Sequence, residues 1–273
     1  MHLAILGGGN MGRALIGGLL RRGTRPEQIS VGESVAAARE SLASEFGISA
    51  TADNAAALDK ASVVVIAVKP QDISSVLAPL QSLLKRNRPT VLSVAAGIRV
   101  SALETWCGPG VAVVRAMPNR PALVGAGATG IYAPAHVDAR HRAAAQSVME
   151  ASGEVVWVPS EEALDVVTAL SGSGPAYFFL LAELMAGAAM ELGLEAQAAQ
   201  RLAIATLHGS GLLAQASDGN LGRLREEVTS KGGTTEAALR TFNDADLRGI
   251  VARALESATL RSRELASQFG MKR

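Results

Sequence analysis

The chain has 273 residues, 48% hydrophobic and 3% aromatic with 28 glycines, enough to bury one large core or two moderate ones and inconsistent with a disordered chain. With 26 Lys and Arg against 25 Asp and Glu, the net charge of +1 marks no nucleic-acid surface, and the expected ligand is a small molecule. The single cysteine, Cys107, excludes an intrachain disulfide, fits a cytoplasmic location and is expected to be a packed small hydrophobe.

His2 to Leu6 is a short apolar run with no basic stretch before it, so it is expected as a first strand and not as a signal peptide. It runs into Gly7, Gly8, Gly9, Asn10, Met11 and Gly12, after which Ala14, Leu15, Leu19 and Leu20 recur at helical spacing. Gly7, Gly9 and Gly12 fit GxGxxG: the first permits the turn, the second lets a pyrophosphate approach the backbone, and the third packs helix on strand. Alone the pattern is weak. A second strand over Ile29–Gly32 and a helix over Ala36–Phe46 complete a βαβ unit and supply the context of a dinucleotide site. Glu33 ends that second strand about 20 residues beyond the turn, where an acid normally meets a ribose 2′-hydroxyl and repels a 2′-phosphate. Ser34 and Arg39 stand close enough to receive a phosphate, so NADH is expected with NADPH also accepted, unless Glu33 points to solvent and chooses nothing.

Val63 to Val68 is short and β-branched, as a buried parallel strand should be, and it ends at Lys69-Pro70-Gln71, where ligands collect in such sheets. Pro70 suits the first position of a helix running to about Leu84, and Lys69 faces either cofactor or solvent. Thr90–Ala95 is another strand, and the small side chains of Ala96 and Gly97 leave room for a nicotinamide ring. Val111–Met117 is one more. Ala128–Tyr132 and Glu154–Val158, with a helix from about Val137 to Met149 between them, extend the sheet.

Beyond residue 160 the strand pattern stops, which predicts an α/β dinucleotide-binding domain over 1–160 and a helical domain over 161–273. The charge-free run Val166–Ala182 is interrupted by Ser-Gly-Ser-Gly-Pro and falls short of the roughly 20 residues a membrane span needs. Pro175 opens a helix over Tyr177–Leu192 that is apolar on nearly every face, and a domain of this size covers it only with help from a second subunit. VTSKGGTT, Val228 to Thr235, places two glycines and two threonines before the amphipathic run Glu236–Phe242. Gly232 and Gly233 permit a tight turn and a threonine is expected to cap the helix, giving an anion cradle or an ordinary capped loop. In the last long helix, Asp246–Ser267, a stripe of Leu247, Ile250, Val251, Ala254, Ala258 and Leu265 is expected to face a core. The four histidines show no zinc spacing and the acids do not cluster, so no metal is expected.

GGGNMG at Gly7–Gly12, AVKPQ at Ala67–Gln71, AAGI at Ala95–Ile98, AMPNRPALVG at Ala116–Gly125, LSGSGPAY at Leu170–Tyr177 and VTSKGGTTEAAL at Val228–Leu239 together resemble the pyrroline-5-carboxylate reductase family along the whole chain. The resemblance implies a Rossmann-type doubly wound sheet followed by an all-helical dimerisation domain that interlocks with a second subunit, often as a decamer of five dimers. It implies hydride transfer from NADPH or NADH to the C=N bond of 1-pyrroline-5-carboxylate, giving proline. Cofactor contacts carry over to Gly7, Gly8, Gly9, Asn10, Met11, Gly12, Asn54, Ala67, Val68, Lys69, Pro70, Ala95, Ala96 and Gly97. Substrate contacts carry over to Asp218, Val228, Ser230, Gly232, Gly233, Thr234 and Thr235, with Thr235 the hydroxyl expected to assist protonation. Asp218 stands where relatives often have glutamate, Arg120 where they usually have threonine, and Lys231 where they usually have proline.

Two other functions share this plan. A β-hydroxyacid dehydrogenase would present a lysine from its helical half, and the helix Ala176–Leu192 has none. A nucleotide-sensing module would bind the cofactor without turnover.

Overall fold

Along each central strand, alternate residues face opposite sides of the sheet, and here both sides are apolar. The strands are β1 (Leu3–Leu6), β2 (Ile29–Gly32), β3 (Ser49–Thr51), β4 (Val63–Ile66), β5 (Thr90–Ser93), β6 (Ala112–Met117), β7 (Gly127–Tyr132) and β8 (Gly153–Trp157). They pair in the order β3-β2-β1-β4-β5-β6-β7-β8, parallel except between β6 and β7. The order reverses between β1 and β4, which is where a doubly wound sheet opens a crevice for ligand. The computed structural model describes residues 1–270.

Thirteen α-helices cover or follow this sheet: α1 (Asn10–Arg21), α2 (Ala36–Phe46), α3 (Asn54–Leu58), α4 (Ile73–Leu77), α5 (Gln81–Asn87), α6 (Val100–Cys107), α7 (Ala139–Glu150), α8 (Ala163–Val167), α9 (Gly174–Glu191), α10 (Ala196–Ala216), α11 (Leu221–Glu227), α12 (Thr234–Asp244) and α13 (Leu247–Gly270), as counted among the described residues. On one face Leu3, Ile5, Val63 and Val65 pack with Leu15 and Leu19 of α1, Leu42 of α2 and Val148 of α7. On the other, Ala4, Leu6, Val64 and Ile66 pack with Ile73, Leu77, Leu84, Leu103 and Cys107. Cys107 is fully buried, and desolvation, aided by Glu104, pushes its thiol up to about 12, so it is a packed residue as expected.

Two compact units result, Met1–Ser173 with Ser257 onward, and Gly174–Glu256. The chain therefore leaves the sheet-bearing unit after α8 and re-enters it within α13. Within the second unit α9 and α10 pack across a connection that Gly193 makes possible at φ +98°. Residues 271–273, the last of the expected helical region, lie outside the described residues.

Three local expectations need correcting. The helix expected from Pro70 to Leu84 is broken into 3-10 turns at Pro70–Asp72 and Ala78–Leu80 around α4, because Pro79 falls inside it. The apolar helical stretch is longer than the expected run Val166–Ala182: α8, a π-helical segment, a bend at Ser173 and α9 together make up Ala163–Glu191, 29 residues, long and apolar enough by length and composition to cross a membrane, while Pro175 stands in the first turn of α9 as expected. The π-helical segment, Thr168–Gly172, precedes the bend at Ser173. Pro175 has no N–H to offer the Ser171 carbonyl, which instead accepts from Asn119 Nδ2 at 3.0 Å, while Asn119 Oδ1 accepts the Ala128 N–H at 2.9 Å. Third, the stripe on α13 is not a core stripe within this chain, since Leu247, Ile250 and Val251 are exposed and only later residues such as Ser262 and Ala266 are buried.

Candidate active site

The glycine turn joins β1 to α1 at the point where the strand order reverses. Gly7 adopts φ +106°, and a Cβ there would come within 2.8 Å of the Ala67 backbone, so the turn lies directly against the end of β4. A Cβ on Gly12 would strike the Gly7 carbonyl. Around Gly9, the N-cap of α1, nothing lies within 4 Å of a would-be Cβ. Two glycines close the turn and the middle one leaves open space before a helix start whose first N–H groups lack intrahelical acceptors. The first intrahelical bond is Arg13 N–H to the Gly9 carbonyl at 2.9 Å. This cradle fits the pyrophosphate of a dinucleotide.

Three further segments end beside the turn on the carboxyl edge of the sheet. Ala67 donates to the Leu6 carbonyl at 2.8 Å and leads through Val68 and the exposed Lys69 into Pro70, the start of a 3-10 turn. Val94 donates to the Ile66 carbonyl at 3.1 Å and leads into buried Ala95, exposed Ala96 and Gly97 at φ +75°. Asn54 opens α3 with its side-chain oxygen against Gly32, so close that a Cβ on Gly32 would overlap it. Helix α3 and strand β3 carry no strong periodicity and were not anticipated. The cue present in the sequence is Asp53, whose side chain caps α3 through the Ala55 N–H at 2.9 Å.

At the end of β2, Glu33 does not point away. One carboxylate oxygen accepts the Gly8 N–H at 2.9 Å and the other accepts the Val35 N–H at 2.8 Å. Burial pushes this carboxyl up, but the hydrogen bonds from Val35, Gly8 and Ser34 outweigh it and hold Glu33 below its ordinary 4.5. Arg39 donates to the carbonyls of Glu33 and Ser34, at 2.9 and 2.8 Å, which keeps its guanidinium at the same strand end.

In the helical unit, the Val228–Thr235 segment links α11 to α12. The N-cap of α12 is Gly233, with no side-chain cap, so the expected threonine cap is incorrect: Thr234 and Thr235 are the first two helical residues. Glu236 instead reaches back to accept the Gly232 N–H at 2.6 Å, one residue before the N-cap. Gly232 sits at φ +72°, and the Gly233 N–H is bonded to the Ser230 carbonyl at 3.0 Å. Since α12 first bonds internally through Ala237 to the Gly233 carbonyl, the donors left to a ligand are those of Thr234, Thr235 and Glu236. Val228 and Ser230 are exposed on this loop. Asp218 has its partners elsewhere, accepting from the Asn220 N–H at 3.1 Å and from Arg223 at 3.0 Å in the connection between α10 and α11.

Comparison with known proteins gives this arrangement a family. A family profile described as pyrroline-5-carboxylate reductase dimerisation matches residues 161–265, and one described as NADP oxidoreductase, coenzyme F420-dependent, matches residues 2–97. The pyrroline-5-carboxylate reductase of Pseudomonas aeruginosa is 43% identical over 269 residues, covering 98% of each chain, and that of Vibrio alginolyticus is 41% identical over 268 residues with the same coverage. The solved pyrroline-5-carboxylate reductase of Coxiella burnetii superposes with a TM-score of 0.94 at 39% identity, covering 97% of this chain and 98% of that one. A pyrroline carboxylate reductase of Plasmodium falciparum solved with NADP bound gives a TM-score of 0.81 at 25% identity over 97% of this chain and 98% of that one. A glycine turn built for a dinucleotide, a helical region matching a dimerisation profile and relatives that align from end to end lead to one conclusion: the chain belongs to the pyrroline-5-carboxylate reductase family.

Proposed function

We infer that the protein reduces 1-pyrroline-5-carboxylate to proline with a nicotinamide dinucleotide. The observation that carries this is the full-length likeness to reductases of that substrate, at 43% and 41% identity. Gly7 to Gly12 hold the pyrophosphate, Glu33, Ser34 and Asn54 the adenosine side, and Ala67 to Pro70 with Ala95 to Gly97 the nicotinamide side. Bound there, the reduced cofactor supplies a hydride to the imine carbon. The glycine turn, whose middle position has open space above it, supports this assignment. The two functional regions follow the division 1–160 and 161–273.

The substrate carboxylate belongs at the start of α12, where unpaired N–H groups and the positive end of an 11-residue helix favour an anion. Val228, Ser230, Gly232 and Gly233 shape that loop, and Asp218 contributes from the α10–α11 connection. Once hydride reaches carbon, the imine nitrogen takes one proton. Thr235 orients a cyclic imine that arrives partly protonated and relays the proton, with no strong acid required.

Two copies of the chain cover the apolar helices. Phe178, Phe179, Leu181 and Leu184 are all exposed in the single chain, on a helix whose region matches a dimerisation profile. A protein partner suits this helix better than lipid, since Asp165, Glu183 and Glu191 lie along it. Interlocking of the two helical regions and a decamer of five dimers are the assembly we propose, in a reducing cytoplasm that suits one buried thiol. Oxidation of NADPH and NADH should be followed with pyrroline-5-carboxylate, with a panel of 3-oxo acids and with no imine. Turnover confined to the imine supports the function; turnover of the 3-oxo acids, or binding without turnover, overturns it.

A further inference from the structure

Below the nicotinamide edge of the sheet lies a group of charges that the reaction itself does not use. Arg115 projects from the interior of β6 and is only 5% exposed. Its Nη1 donates to Glu161 Oε1 at 2.6 Å, and the same oxygen accepts the Val100 N–H at 2.7 Å. Arg99 Nη2 donates to Asp165 Oδ2 at 2.9 Å, while Asp165 Oδ1 accepts the Ser262 hydroxyl at 2.7 Å. Asp165 is 3% exposed, so each of its oxygens depends on these partners. Buried ion pairs are poor contributors to net stability, because desolvation offsets most of the attraction, and here Arg99 Nη1 is in addition buried without a hydrogen-bond partner among the described residues. Their use is to fix positions.

What they fix is one loop. Residues 94–99 join β5 to α6, and the loop's first residue is held by the sheet through the Val94 N–H. Its far end is held by Arg99 and Val100, and both of those bonds go to acids just before and within α8. Between the two ends the backbone passes through Gly97 at φ +75°, a position with little resistance to rotation, so the loop's conformation depends on its anchors. Ser262 brings in α13. Asp165 and Ser262 thus stand on the two stretches by which the chain leaves the sheet-bearing unit and returns to it.

We propose that the Arg99–Asp165–Ser262 cluster, seconded by Arg115–Glu161, is a positioning device for hydride transfer, holding the Ala95–Gly97 backbone at the distance the nicotinamide requires. The inference rests on the assignment of Ala95 to Gly97 as cofactor contacts. Small displacements of a bound reactant reduce the rate of the chemical step more than they reduce affinity. Loss of the cluster therefore acts on kcat and leaves the KM for cofactor nearly unchanged.

The test uses Asp165→Ala, the conservative Asp165→Asn and the milder Ser262→Ala in the full-length protein. Hydrogen–deuterium exchange over residues 94–100 of the cofactor-free protein should quicken in Asp165→Ala and Ser262→Ala and return towards wild type in Asp165→Asn. In the same order kcat should fall by about 10-fold and about threefold, with a rise in the primary isotope effect from cofactor deuterated at the transferred position, as hydride transfer becomes limiting. Unchanged exchange over 94–100 in a folded Ser262→Ala overturns the inference, as does quicker exchange with an unaltered kcat and isotope effect. Ala96→Phe separates this from the reading beneath it. If Ala96→Phe leaves NADP⁺ affinity unchanged, the cofactor assignment of the loop fails and the positioning role fails with it; if it weakens NADP⁺ while the cluster variants change nothing, only the positioning role fails.

Discussion

Glu33 holds the Gly8 N–H at 2.9 Å, so the acid at the end of β2 is fastened to the glycine turn itself. In the cofactor mode proposed above, a side chain in that place would have two roles, ordering the turn and setting the charge that the adenosine ribose meets. The two roles separate by substitution. Glu33→Gln keeps an acceptor for Gly8 and removes the charge, whereas Glu33→Ser removes both and leaves Ser34 and Arg39 to face a 2′-phosphate. Both variants should shift the kcat/KM ratio towards NADPH by about tenfold, equivalent to roughly 1.4 kcal/mol. A shift in Glu33→Ser alone assigns the effect to turn order, and an unchanged ratio in both removes Glu33 from cofactor choice.

The same hydrogen bonds make a prediction about acid. Although burial raises it, the Glu33 carboxyl lies below 4.5 when folded because Val35, Gly8 and Ser34 donate to it. A depressed folded value means stabilisation that is complete above the unfolded value and lost as pH falls through the folded one. Wild type and Glu33→Gln should therefore differ in Tm near pH 7 and draw together as the pH falls below the ordinary 4.5. Parallel Tm curves down to pH 3 would contradict this linkage.

Much of the dinucleotide half was legible from residues because its signals are local. Runs such as Val63–Ile66 can only be buried parallel strands, and Gly7, Gly9 and Gly12 act through the absence of a Cβ, which a sequence displays directly. What escaped was set by partners distant in the chain. The proline at 175 does mark the first turn of α9, but nothing local shows that Asn119 satisfies the Ser171 carbonyl just before it, a contact that spans 52 residues. The threonines at 234 and 235 look like caps, yet both lie inside α12, and Glu236 folds back on Gly232 without bonding the first N–H groups of the helix. Asp218, carried over by likeness alone, is held by Arg223 in its own turn.

Glu236 also places a negative charge at the helix start proposed to receive the substrate carboxylate. Glu236→Gln retains an acceptor for Gly232 and removes that repulsion. The KM for pyrroline-5-carboxylate should fall by about two- to fivefold, in keeping with the 0.3 to 1 kcal/mol of charge effects at exposed helix ends. A raised KM would mean that the carboxylate binds elsewhere. Gly233→Val is a poor probe of the same idea, because its Cβ would collide with the Ser230 side chain whatever the ligand does.

Thr235→Ala addresses the proton. Loss of the hydroxyl should lower kcat by about 10 to 100-fold, at or below the usual range for general acid-base groups. The loss should shrink as pH falls and more of the imine arrives protonated. A change confined to KM would assign Thr235 to binding only.

The last expectation concerns assembly, and it follows from how little of α9 the chain itself covers. Phe179 and Leu184 are 61% and 60% exposed, and Phe178 and Leu181 on the same two turns of the helix are exposed as well. On α13, Leu247, Ile250 and Val251 add to the apolar surface. Burying each such side chain contributes about 1.5 to 3 kcal/mol, so we expect a homodimer that covers this group to persist at micromolar concentrations and to be more stable than its separated subunits. Phe179→Glu with Leu184→Glu should therefore convert the oligomer to monomer in sedimentation at micromolar protein, lower Tm and abolish turnover together. In wild type, Tm should rise with protein concentration, as it must when folding and association are linked. A double variant that stays oligomeric and active would show that the partner is received on another face.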